Sequence, residues 1–91
     1  MSLVRLRKEI DRLDQRLLKL LNQRMRLVTK IAALKKKLGL PIFDGRREQE
    51  VLSRLAKSQE GLLGAESAQR IFREIFRSSR RLQSAHRSRK G

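Results

Sequence analysis

The sequence predicts an all-α protein with three helices per chain, one long and two shorter, paired with a second copy as an intertwined helical homodimer. Two periodic patterns and one length support this. Apolar residues recur at spacings of three and four from Leu3 to Leu38 with no Gly or Pro among them, the mark of one continuous amphipathic helix with a coiled-coil-like seam. Shorter helical stripes follow around Val51 and Ile75. The first helix is also too long for its own chain to cover. About 36 residues make a rod of ~54 Å, whereas a compact chain of 91 residues has a radius of gyration of about 12 Å. The remaining apolar length calls for another copy, as does the marginal core of so small a domain.

Each element follows from local signals. The seam of helix one runs Leu3, Leu6, Ile10, Leu13, Leu17, Leu20, Leu27, Ile31, Leu34 and Leu38, with Arg24 in the gap before Leu27. Gly39 and Pro41 stop it. Asp44 is a good N-cap for helix two, whose face carries Glu48, Val51, Leu52 and Leu55 and fades by Ser58. Residues 59–63 read as a turn around Gly61. Helix three starts near Ala65 behind Gly64, a weaker cap. Its stripe is Ala68, Ile71, Phe72, Ile75, Phe76 and Leu82, with Ser79 on it and Gln83 at its edge. After Gln83 the chain turns basic and non-periodic, so the expectation is a helical domain over 1–84 and a disordered tail over 85–91.

Composition narrows the function. The net charge is +15, from 24 Lys+Arg against 9 Asp+Glu, which favours anionic partners. Three Phe are the only aromatics, too few for stacking on single strands. The basic residues spread over all three helices instead of forming one recognition segment, which speaks against nucleic acid. With no Cys and one His, His86, neither a disulfide nor a zinc site is expected. Met1 to Arg12 is charged and holds no apolar run. The expectation is a cytoplasmic protein with no secretory signal and no membrane span.

Polar groups on apolar faces are the candidates for function. A guanidinium on a buried seam is costly unless it meets an anion. Arg24 therefore either sets coiled-coil register against a carboxylate or grips a ligand. Lys35 follows eleven residues on, three turns later and only ~20° offset, with Val28 and Ile31 between. Two cations beside an apolar strip suggest a pocket for an anionic organic molecule, although Lys35 also opens the run Lys35-Lys36-Lys37 at a helix C-terminus, where cations are favoured. Glu48 is equally a first-turn acid, Asp44 a cap, Arg47 a surface residue, Ser79 a group bonded back to its own helix, and Gln83 a helix end. What those plain roles leave unexplained is that all three helices turn polar groups toward the core side. Arg7 lies ~25 Å along the rod from Arg24, too far to share one small ligand on the same helix.

Five segments, in order, carry a family resemblance: LRKEID with Arg7; LLNQRMRLV with Arg24; IAALKKK with Lys35; PIFDGRRE with Asp44, Arg47 and Glu48; and FREIFRSSRRLQ with Ser79 and Gln83. Over residues 3–83 the sequence resembles the all-helical chorismate mutase domain, found alone or fused to other enzymes of aromatic amino acid synthesis. The resemblance implies a helical homodimer with two active sites that catalyse the cofactor-free Claisen rearrangement of chorismate to prephenate. Each site would use Arg24, Lys35, Asp44, Arg47, Glu48, Ser79 and Gln83 of one chain and Arg7 of the other. Three other functions stay open: the isochorismate pyruvate lyases of the same fold, against which Glu48 and the Asp44–Arg47 pair weigh, a basic helical dimer for nucleic acid, and a purely structural coiled coil.

Overall fold

The structure, a computed structural model, describes residues 2–58 and 61–89. It contains three helices in the order expected: α1 (Leu3–Leu38), α2 (Gly45–Lys57) and α3 (Ala65–Arg89). Among the described residues there is no strand, and no helix is long and apolar enough to cross a membrane. Two residues of the expected turn, 59 and 60, and the last two of the expected tail, 90 and 91, lie outside the described residues.

Local chemistry sets the helix ends. Ser2 caps α1, its side chain accepting from the Arg5 N–H at 3.2 Å. At the other end Gly39 turns left-handed, with φ 71°. The Leu40 N–H then reaches back to the Lys35 carbonyl at 2.8 Å, and the Gly39 N–H to the Lys36 carbonyl at 3.2 Å. These bonds satisfy carbonyls that a helix end leaves open. Asp44 caps α2 as the sequence predicts, its Oδ1 accepting from the Arg47 N–H at 3.0 Å.

α3 is the central element, packing against both α1 and α2. The apolar side chains buried between them are Val28 and Ala32 of α1, Leu52 of α2 and Phe76 of α3. Phe72 meets Phe76 edge to face, 6.2 Å between centroids, a favoured aromatic geometry. Gln69 ties the faces together, its Nε2 donating to the Leu52 carbonyl at 3.0 Å.

One expectation is corrected: α3 does not end near Gln83. It continues to Arg89, so residues 85–89 are helical and not a disordered tail. No Gly or Pro interrupts the segment, Leu82, His86 and Arg87 stay half-buried on one side, and Arg87 Nη2 donates to the Leu40 carbonyl at 3.0 Å. The face of α1 buried within the chain is not its leucine seam. Leu13, Leu17, Leu20, Leu27 and Leu34 are all more than half exposed, while the neighbouring strip of Val28 and Ala32 faces α3. At 100° per residue the two strips lie side by side, and periodicity sees one broad apolar face. The chain is accordingly elongated, with extents of 55 × 28 × 14 Å and a radius of gyration of 16.5 Å.

Gly39 gives a direct check of the α1 stop. Nothing crowds a Cβ built there, but its φ is left-handed, so the cost of Gly39→Ala is backbone strain alone. The expected loss is about 1 kcal/mol of stability by urea denaturation.

Candidate active site

The cations on α1 sit on the border between its two apolar strips. Arg24 and Lys35 flank Val28 and Ile31 there, and all four line one cavity of about 390 Å³ closed by α2, α3 and the α1–α2 loop. Each cation is met by a neutral oxygen. Arg24 Nη1 donates to Ser79 Oγ at 2.6 Å, and its guanidinium carbon lies 5.7 Å from the centroid of the Phe76 ring. Lys35 Nζ donates to the Ile42 carbonyl at 2.7 Å and to Gln83 Oε1 at 3.3 Å. Ser79 and Gln83 are the buried polar side chains of the core.

These contacts sort the two roles open for each residue. Ser79 Oγ also donates to the Ile75 carbonyl of its own helix at 2.8 Å, so its plain role and its position in the cavity coexist. Gln83 gives its oxygen to Lys35, which leaves the two protons of Nε2 for a ligand. Asp44 is the α2 cap and also lines the cavity. Arg47 reaches a cavity wall although it is exposed, with Glu50 3.7 Å away on the outer side. Glu48 points inward from the first turn of α2. Arg24 has no carboxylate in hydrogen-bond contact among the described residues. Burial first, and then repulsion from Arg47, lower its pKa below the ordinary guanidinium value, with attraction to Glu48 opposing them. Folding thus disfavours the charged form, and the penalty is carried at every pH below the guanidinium range, where Arg24 remains protonated.

Seven of the eight residues singled out in the sequence therefore share one cavity: Arg24, Lys35, Asp44, Arg47, Glu48, Ser79 and Gln83. Arg7 does not. It is exposed, more than four turns before Arg24 on the same helix. The family model for chorismate mutase type II matches residues 6–84. The chain belongs to that family.

Similar proteins include both fused and single-domain members. The bifunctional chorismate mutase/prephenate dehydratase of Aquifex aeolicus is 38% identical over 79 residues, which are 82% of this chain and 22% of that protein. This chain thus spans about a fifth of that relative's length. The chorismate mutase of Methanocaldococcus jannaschii is 32% identical over 86 residues, 93% of this chain and 87% of that protein. The solved chorismate mutase of Helicobacter pylori in complex with prephenate has a TM-score of 0.87 at 37% identity, covering 94% of this chain and 93% of that one.

The cavity also includes a residue that sequence reasoning missed. Arg80 lines it, and its Nη1 donates to Glu48 Oε1 at 2.6 Å and also to Oε2. The signal was present: Arg80 stands four residues after Phe76, on the buried stripe. The same reasoning that singles out Arg24 applies to it, but the double Arg80-Arg81 reads as a solvated surface.

The Arg24 geometry predicts a stability effect opposite to that of most core substitutions. Arg24→Met removes a half-buried cation with no carboxylate partner and keeps the hydrophobic stem. Ser79 retains its bond to Ile75, so no group is orphaned. Urea denaturation should show the variant stabilised by roughly 1 kcal/mol; a loss of stability would mean that the Arg24–Ser79 contact outweighs desolvation.

Proposed function

We propose that the cavity is the active site of an isomerase, a chorismate mutase that converts chorismate to prephenate in aromatic amino acid biosynthesis without a cofactor. The observation that carries this reading is the charge of the cavity. Four cations, Arg24, Lys35, Arg47 and Arg80, face two carboxylates, Asp44 and Glu48, a net charge that matches a substrate with two carboxylates. Family membership and the prephenate-bound relative support the same substrate.

The residues suit the chemistry. A pericyclic rearrangement needs no nucleophile. It needs the substrate held compact, with the reacting carbons close. Arg24 would bind one carboxylate through its planar fork. As the carbon–oxygen bond breaks, negative charge grows on the ether oxygen, and donors placed there stabilise the transition state more than the substrate. Lys35 and the Nε2 protons of Gln83 would be those donors. They adjoin one another, which supports a joint role. Glu48 would accept from the ring hydroxyl, since a carboxylate has acceptor capacity beyond its bonds to Arg80. Ser79 would donate to the ring carboxylate once its hydroxyl turns from Ile75, and Asp44 with Arg47 would shape the loop end.

The second carboxylate would be held by Arg7 of another copy. The exposed leucines of α1 and the elongated chain support an intertwined homodimer in which two such sites form. A cytoplasmic setting suits a chain whose substrate is a small metabolite.

Ultraviolet loss of chorismate, with product identification, tests the reading. Prephenate is expected; chorismate left intact while isochorismate gives salicylate and pyruvate would mean the sibling lyase, and no turnover of either would sink the proposal. Lys35→Ala should lower kcat on the order of 100-fold or more, with a smaller change in KM. Chains carrying Arg7→Ala and Arg24→Ala are each expected to be inactive alone. Co-expressed, they should regain activity through one intact site per mixed dimer. No recovery in a verified mixed dimer would place Arg7 outside the site.

A further inference from the structure

We propose that Arg80 is a positioning residue for this reaction: it holds Glu48 at the cavity wall and neutralises it, so that a dianionic substrate can approach a site containing a carboxylate. The proposal rests on the chorismate reading above.

The Arg80–Glu48 pair differs from the protein's other ion pairs. Among the described residues, Arg47–Glu50, Arg70–Glu66 and Arg77–Glu74 each lie within one helix and are exposed. Arg80–Glu48 alone joins two helices, and its side chains are only 33% and 22% exposed. One guanidinium nitrogen bonds both carboxylate oxygens, which restricts rotation of the carboxylate. Arg80 is itself held in place. Its guanidinium carbon lies 5.3 Å from the centroid of the Phe43 ring, a cation–π distance. Phe43 in turn lies close over the start of α2, where a Cβ on Gly45 would meet Phe43 Cζ at 3.0 Å. Gly45, Phe43, Arg80 and Glu48 thus form one chain of contacts, of which Arg80 and Glu48 line the cavity.

Electrostatics give these contacts a purpose. An unpaired carboxylate would repel a dianion in a half-buried site, where screening is weak. Yet Glu48 has to stay a carboxylate to accept from a hydroxyl. Pairing it with Arg80 from the side removes the repulsion and keeps the acceptor. Arg24, Lys35 and Arg47 are then left to attract the substrate, so Arg80 itself need not touch it.

The test is steady-state chorismate kinetics on the full chain, with circular dichroism melting of each variant. The variants are Arg80→Met, Arg80→Lys, and Arg80→Met combined with Glu48→Gln. Arg80→Met should raise KM on the order of tenfold, with a smaller fall in kcat, because repulsion weakens binding. Arg80→Lys should recover part of that KM. Adding Glu48→Gln to Arg80→Met should bring KM back down, since the uncompensated charge is gone. An unchanged KM in Arg80→Met overturns the proposal, and so does a double variant with KM as high as the single one, which would mean that Arg80 touches the substrate. If Arg80→Met fails to fold, Arg80→Gln takes its place: a raised KM supports the role, and a wild-type KM overturns it. A wild-type chain without turnover would sink the chorismate reading as well. Turnover with a KM indifferent to Arg80 would sink only this role.

Discussion

Two cations held against neutral oxygens are the constraint on which the rest of the structure depends. Arg24 and Lys35 lie on the inner border of α1, and the groups that meet them are a hydroxyl, an amide oxygen and a backbone carbonyl. A stability-driven core would place carboxylates or hydrocarbons there. Neutral oxygens orient the two cations without cancelling them, and the surplus charge is available to an anion. The demand propagates outward. α3 has to present Ser79 and Gln83 one turn apart on its buried face, and the α1–α2 loop has to bring the Ile42 carbonyl to Lys35. That loop can do so because Gly39 ends α1 with a left-handed residue and Asp44 starts α2 a few residues on.

The cavity therefore consumes much of the chain's own interior. Among the described residues four apolar side chains are buried, and two polar residues, Ser79 and Gln83, share the space with them. The main store of apolar surface lies elsewhere, along the exposed leucines of α1. In the proposed dimer, one device would do two things. The copy that covers those leucines would also deliver Arg7, which its own chain cannot bring to Arg24. Stability and a complete site would then arise in the same association step.

Charge within the cavity is divided by partner. Arg24 and Lys35 are backed by neutral groups and keep their fields. Arg80 is backed by Glu48 and loses its field to it. A site for a dianion can hold a carboxylate only if such a division exists, because an uncompensated acid would oppose binding more than its hydrogen bond helps. The aromatic ring of Phe43 and the missing side chain of Gly45 belong to this arrangement, although neither would attract notice in a search for chemical groups.

By itself, the sequence determined the three helices, their caps and their order, because these depend on spacing, Gly39 and Asp44, which act over a few residues. It also determined that Arg24 is anomalous, since one charge in an apolar series is visible without a structure. The roles of Lys35, Ser79 and Gln83 were ambiguous in sequence because each has an ordinary explanation within its own helix. Contact across helices brings all three to the wall of one cavity. Only the tertiary structure decided that Val28 and Ala32, not the leucine seam, face α3, because adjacent strips on one helix merge in a periodic pattern. The length of α3 was likewise a tertiary matter: Arg87 reaches Leu40, 47 residues away in sequence, and no local signal reports that bond. The pairing of Arg80 was hidden for the same reason. Its partner, Glu48, is on another helix, and which helix faces which is decided by packing.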